Sequence, residues 1–484
     1  IFGLALCLQL GLSGPVAAWT LGLVSGVLTV LLLAELLRRL PFPEPWRWWL
    51  FALGVVDAWF LRWTMSGMET PLATAILLVL LWPLVLASPE PEPAAARRLL
   101  VRYLGWGVAA GLAALVRPEY LLLAPAALPW LLLFEYRRAD VLGGEAARRR
   151  AWPTRLLLGA GLGWLAAAGP WLVYAQRTFG RWTPGTASAK SFETTFDPVV
   201  TLQYLGRSLE QLGLTQGVVW LFFLLLVVFV MIERRRQERG HPTGDDRLKP
   251  GQWEFWQAVG LVLVVATWVA LLLGGYAVKR VWTISRYLSP LSPALLLALG
   301  VLAYWLLNVA VPFRGRPILR TWVATLACSL ALLGNVLLLV GPVRTHARDF
   351  SAGVVECYLD RGEWLGEHAA PHDVIAALDI GAIAYGSDRH VLDLMGLVSP
   401  EIMVMGRQMG FATMVESGLW LRNDLSQAPP PAWFVDRHEG PPRWEGKTVR
   451  GMTFELIDTC VIRGVGLREP QDWTVATYRL RPAD

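Results

Sequence analysis

The feature that constrains this chain most is a succession of apolar runs near residues 15–36, 48–63, 67–87, 103–116, 119–135, 156–175, 215–233, 254–275, 288–310 and 319–341. Each approaches the roughly 20 residues that a helix needs to cross a bilayer, so the pattern predicts about ten spans, several of them tilted or broken. Composition points the same way: 55% of the residues are hydrophobic and 17% charged, whereas a soluble domain carries about a quarter charged residues. The expected fold class is an α-helical polytopic membrane protein. Its 25 Trp suit belts at the two membrane–water interfaces.

Basic residues set the orientation. One alternating set of loops carries Arg38, Arg39 and Arg47, then Arg97, Arg98 and Arg102, then Arg137, Arg138, Arg148, Arg149, Arg150 and Arg155. The alternation continues through Arg234, Arg235, Arg236, Arg239, Arg247 and Lys249 to Arg314, Arg316 and Arg320. These loops are read as cytoplasmic, because Lys and Arg are retained on that side. The net charge of +6 is thereby explained by orientation, and no nucleic-acid partner is expected. Everything after residue 341 then falls outside the cytoplasm.

Four polar junctions interrupt the opposite side: Trp63-Thr-Met-Ser-Gly-Met-Glu-Thr-Pro-Leu72, Arg117-Pro-Glu-Tyr120, Thr183-Pro-Gly-Thr-Ala-Ser-Ala-Lys190 and Ser285-Arg-Tyr-Leu-Ser-Pro290. Irregular backbone and charge at membrane depth are costly unless they line a wet cavity. Glu69, Arg117, Glu119, Lys190 and Arg286 are therefore candidate ligand-binding residues, since carboxylates among guanidinium and ammonium groups suit an anionic head beside a hydroxyl-bearing molecule. The alternative for each cation is a snorkelling interfacial anchor. Asp57 and Arg62, at the edge of a short run, read equally as a structural pair or as functional groups.

Residues 342–484 change character, becoming polar with short β-rich segments at 374–378, 432–435, 453–457 and 475–480 and helical patterns near 351–367 and 411–422. About 140 residues suffice for an independent α/β domain, expected to be extracytoplasmic; residues 1–341 form the multi-span domain. Cys7 and Cys328 lie in apolar runs and read as packing residues, while Cys357 and Cys460 could pair if their domain lies in an oxidising compartment. No metal-ligand spacing, phosphate-binding glycine loop or nucleophile elbow is visible.

The run Ser66-Gly-Met-Glu-Thr-Pro-Leu72, followed by Arg117-Pro-Glu119, Phe179-Gly, Thr183-Pro-Gly-Thr186, Ala189-Lys190 and Arg286-Tyr-Leu-Ser-Pro290, resembles the GT-C glycosyltransferases. It is most similar to the bacterial branch that includes terminal arabinofuranosyltransferases and protein mannosyltransferase-type enzymes. Asp379-Ile-Gly-Ala-Ile-Ala-Tyr385 with Val391-Leu-Asp-Leu-Met-Gly-Leu397 resembles the same group's external Asp-x-Gly, Tyr, Asp-x-x-Gly-Leu pattern. Gly185 departs from that pattern, which often has Asn there.

The resemblance implies a multi-pass enzyme of the bacterial inner membrane, with a polyprenyl-phosphate sugar as donor. Its acceptor would be a glycan, lipid or protein outside the cytoplasm. It also implies a catalytic acid on an external loop upstream of Ile1, with a divalent metal as a possible companion. Glu69 would position sugar or acceptor, and Arg117, Lys190 and Arg286 would contact the lipid phosphate. The competing classes are a transporter or flippase of a lipid-linked sugar, which internal symmetry would favour, and a non-catalytic glycan-binding scaffold.

Overall fold

The computed structural model describes residues 2–40, 42–85, 95–150, 153–180, 182, 196–238, 252–305, 317–422, 429–466 and 471–483. The chain divides into two compact units, Ile1–Trp182 with Phe196–Leu339, and Thr183–Thr195 with Val340–Asp484.

The first unit is helical: α1 (Phe2–Gln9), α2 (Gly14–Arg39), α3 (Glu44–Val55), α4 (Ala58–Thr64), α5 (Thr70–Val85), α6 (Ala95–Val116), α7 (Leu123–Arg150), α8 (Pro153–Phe179), α9 (Pro198–Glu238), α10 (Gln252–Val278), α11 (Ser285–Leu288), α12 (Ser292–Trp305) and α13 (Pro317–Leu338). Among the described residues, 7 helical runs are long and apolar enough to cross a membrane. Three of the runs expected as spans differ. The run at 48–63 is cut at Asp57 into α3 and α4, of 12 and 7 residues. The next gives α5, which at 16 residues is shorter than the bilayer core requires. The run at 119–135 opens as a single 3-10 turn, Pro118–Leu121, before α7 begins.

Helices α5 and α12 are apolar on every face, and both are buried over most of their length, as all-round hydrophobicity requires. Helix α9 starts well before the apolar run at 215–233, because Pro198 sits at its first position and Asp197 Oδ1 accepts the N–H groups of Val199 (2.9 Å) and Val200 (3.2 Å). Helices α6 and α8 meet through glycines. A Cβ at Gly107 would lie 2.1 Å from the Ala160 carbonyl oxygen, and one at Gly163 would lie 2.1 Å from that of Leu104. Such backbone contact is the small-residue packing that holds membrane helices together where water provides no drive.

The second unit contains α14 (Arg344–Val354), α15 (Asp360–His368), β1 (Val374–Ala377), α16 (Ile380–Ser387), β2 (His390–Asp393), α17 (Pro400–Met409), α18 (Phe411–Ser417), β3 (Trp433–Glu439), β4 (Thr448–Val449), β5 (Met452–Val465) and β6 (Gln471–Pro482). Its sheet runs β2-β1-β3-β6-β5-β4, parallel across β2, β1 and β3 and antiparallel beyond. Strands β2 and β4, four and two residues long, are the ones the sequence pattern did not indicate. Side chains alternate about β3: Phe434 packs with Trp420, Trp444, Phe454 and Tyr478 on one face, while Trp433 and Val435 pack with Cys357, Tyr358 and Leu365 on the other. Cys357 and Cys460 are disulfide-bonded, tying the helical segment before α15 to β5. Cys328 is buried, whereas Cys7 is only partly so, because α1 is largely exposed.

Two outcomes are expected. Gly107→Ala or Gly163→Ala should lower the unfolding midpoint of the protein in lipid sharply, because backbone oxygens cannot move aside, while Gly161→Ala, which meets nothing within 4 Å, should leave it unchanged. Replacing Cys357 and Cys460 by Ala should destabilise the second unit by about 2–5 kcal/mol in chemical denaturation, as expected for a crosslink closing a long loop.

Candidate functional site

Arg117 is the centre of the site. The residue before a proline is driven into extended backbone, and Arg117 has φ −140° and ψ 118° at the end of α6. That geometry turns its side chain inward, where it is 3% exposed. Its Nε lies 3.3 Å from Glu69 Oε1 and 3.4 Å from Glu119 Oε1. Nη1 donates to the Arg286 carbonyl at 3.1 Å. The guanidinium carbon stands 5.9 Å from the ring centre of Tyr120 and 5.4 Å from that of Tyr287. The Tyr276 hydroxyl donates to Glu119 Oε1 at 3.1 Å.

Three of the polar junctions are thus one cluster. Glu69 stands just before α5, and Arg286 lies in α11 just before α12, so the cluster gathers at the N-terminal ends of the two most enclosed helices. Charge decides the roles. Arg117 is buried and shared between two carboxylates, whereas Glu69 and Glu119 remain 37% and 26% exposed. Arg117 therefore holds the acidic groups in place; among the described residues, Arg286 Nε meets no acceptor, while its Nη2 reaches the Tyr287 hydroxyl at 3.4 Å. Lys190 lies outside the described residues.

Asp57 and Arg62 are not an ion pair with each other among the described residues. Asp57 is 4% exposed and caps α4 by accepting the Phe60 N–H on Oδ1 at 2.7 Å. Its Oδ2 is 2.7 Å from the Ser292 hydroxyl, which lies 2.8 Å from the Gln216 side-chain amide. The Ala58 N–H donates to Asn335 Oδ1 at 3.4 Å. This polar knot, inside a bundle of apolar helices, replaces the hydrogen bonds lost at the break between α3 and α4.

In the second unit, Asp379 accepts from the Tyr358 hydroxyl (2.8 Å) and pairs with Arg437 (2.7 Å), while Tyr385 is 60% exposed. Asp393 is fully buried and accepts the N–H groups of Met395 and Val398, each at 2.9 Å, so it builds the turn around Gly396. Asp436, also fully buried, is gripped by Arg443 and Trp444; that hydrogen-bonded carboxylate raises the Arg443 pKa. Among the described residues no three His, Cys, Asp or Glu side chains converge to hold a metal ion. Glu69 and Glu119 already face a guanidinium, so they do not fit a divalent cation.

Residues 350–480 match a family described as Domain of unknown function (DUF8728). No curated protein matches the chain. Among solved structures, the chain is similar to the crystal structure of ArnT from Cupriavidus metallidurans bound to undecaprenyl phosphate, with 12% identity and a TM-score of 0.47 over 97% of this chain and 85% of that one.

If Arg117 organises the cluster, Arg117→Met should lower stability in lipid by about 1–3 kcal/mol, because two carboxylates lose their counter-charge. Adding Glu69→Gln and Glu119→Gln should recover part of that loss, measured as unfolding midpoints.

Proposed function

We propose that the chain is an integral-membrane glycosyltransferase that moves a glycosyl group from a polyprenyl-phosphate sugar to an acceptor outside the cytoplasm. The observation that carries this reading is the Arg117 cluster: acidic and basic groups gathered at one place in a membrane bundle, whose two carboxylates, Glu69 and Glu119, remain partly exposed. In such a transfer the acceptor oxygen attacks the anomeric carbon, the bond from that carbon to the phosphate oxygen breaks, and the acceptor proton passes to a base. The enzyme must take up that proton and stabilise the departing phosphate.

In this reading Glu69 orients the sugar or acceptor through its exposed carboxylate. Arg286 meets the phosphate. Arg117 holds Glu69 and Glu119 where they are needed. The second unit lies on the extracytoplasmic side of the bacterial inner membrane. Two features support that placement: the basic loops alternate to the other side, and Cys357 and Cys460 are disulfide-bonded, which suits an oxidising compartment. Acceptor classes remain a glycan, a lipid or a protein. The broken span at Asp57 favours a second reading, a carrier of lipid-linked sugar, because transporters place discontinuous helices at their substrate sites.

The test is transfer by the full-length protein in lipid vesicles from a panel of radiolabelled polyprenyl-phosphate sugars. Arg286→Gln is expected to cut transfer by on the order of 100-fold, as loss of one charge-stabilising donor does. Movement of labelled lipid across the bilayer without transfer would replace the enzyme by the carrier.

A further inference from the structure

The parallel strands of the second unit contain a switch point. From β1 the chain crosses through α16 to β2 on one side, then returns through α17 and α18 to β3 on the other. The two crossings lie on opposite faces of the sheet. Ile383 of α16 packs with Trp433 and Val435, whereas Ile402 of α17 and Met414 of α18 pack with Phe434. Where crossings part in this way, open α/β sheets bind ligands in the crevice outside the carboxyl ends of the strands. Here that crevice lies between β1 and β3.

The groups gathered there come from both strands. Ala377 pairs with Val435, and two residues further on, on the same face, stand Asp379 after β1 and Arg437 in β3. Asp379 Oδ2 accepts from the Tyr358 hydroxyl at 2.8 Å and pairs with Arg437 Nη1 at 2.7 Å. The Arg437 guanidinium carbon also stands 4.2 Å from the ring centre of Trp473, half-buried near the start of β6.

These groups are accessible: the Asp379 and Arg437 side chains are 41% and 28% exposed. Among the described residues their bonds use Oδ2 and Nη1, which leaves Oδ1 and Nη2 for a ligand. Asp379 also occupies the N-cap of α16, where an Asp ordinarily accepts the first N–H groups of the helix. Its side chain makes no such bond, because it is turned to Arg437 and Tyr358. Acceptor and donors therefore stand side by side at one edge. Neighbouring hydroxyls of a sugar ring suit that mixture, since each both donates and accepts. An anion suits it poorly, because the exposed Asp379 charge repels it.

We propose that the second unit binds a neutral saccharide in this crevice, Asp379 accepting from one ring hydroxyl and Arg437 donating to its neighbour. That the saccharide is the acceptor of transfer rests on the glycosyltransferase reading; the binding site does not.

The test is calorimetric titration of the full-length protein in lipid nanodiscs with neutral arabinose, mannose, galactose and glucose oligosaccharides, and with oligogalacturonate and inorganic phosphate as anions. At least one neutral oligosaccharide is expected to bind, and neither anion. Asp379→Ala and Arg437→Ala should each weaken that binding at least about tenfold, as loss of a hydrogen bond to a charged group does. Arg437→Lys, which keeps the charge beside Asp379 with fewer donors, should weaken it at least about threefold and serves where an Ala variant fails to fold. Arg481 and Glu455 form another exposed pair at the opposite edge of the sheet, so Arg481→Ala should bind as wild type does.

Binding of no neutral oligosaccharide would overturn the site, and so would wild-type affinity in Asp379→Ala or Arg437→Lys. Binding of phosphate or oligogalacturonate that Asp379→Asn strengthens would replace it by an anion site. Each of these results leaves the glycosyltransferase reading standing, because transfer is measured separately. Oligosaccharide binding that depends on Arg437, in a protein that transfers no sugar, would keep the site and overturn that reading instead.

Discussion

Hydrocarbon offers no hydrogen bonds, and the first unit is organised by that fact. A helix that breaks at membrane depth must find side-chain partners for the backbone groups it frees. Asp57 and Asn335 supply them between α3 and α4. Each break therefore collects polar residues from helices distant in sequence, and such collections are where a membrane protein can recognise a polar ligand. The Arg117 cluster follows the same logic with charge added: Pro118 ends α6, the extended residue before it swings inward, and Glu69 and Glu119 meet it.

Precision in these clusters depends on the packing around them. Water contributes no hydrophobic drive between spans, so contact area and close approach of backbones do the work. Gly107 and Gly163 let α6 and α8 touch, which fixes where α6 delivers Arg117. Helices α5 and α12, wrapped on all sides, fix the elements that follow Glu69 and Arg286.

The second unit is held by different physics. Its core is an aromatic layer on one face of a mixed sheet, joined there by α17 and α18, with α15 and α16 packed on the other face, and burial of that apolar area drives its folding. Its buried carboxylates are used structurally: Asp393 closes a turn, and Asp436 is bound by Arg443 and Trp444. Parallel pairing of β1 with both β2 and β3 puts Asp379 just past the carboxyl end of the central parallel strand, where open α/β sheets present ligand crevices.

The sequence by itself determined the helical membrane character, the change of composition after residue 341 and most of the strands, because burial in lipid and strand alternation are one-dimensional patterns. It also marked Glu69, Arg117, Glu119 and Arg286, since charge beside Gly and Pro between apolar runs is conspicuous without any contact being known. Tertiary structure alone decided which of these groups is enclosed and which is free. Arg117 and Arg286 carry equal charge in the sequence, but only packing encloses the first between two carboxylates and leaves the second with a donor that meets no acceptor among the described residues. Likewise, the pairing of Asp57 with Ser292 joins residues 235 positions apart. Such a partnership has no signature along the chain, because it is set by how helices pack and not by how they are spelled.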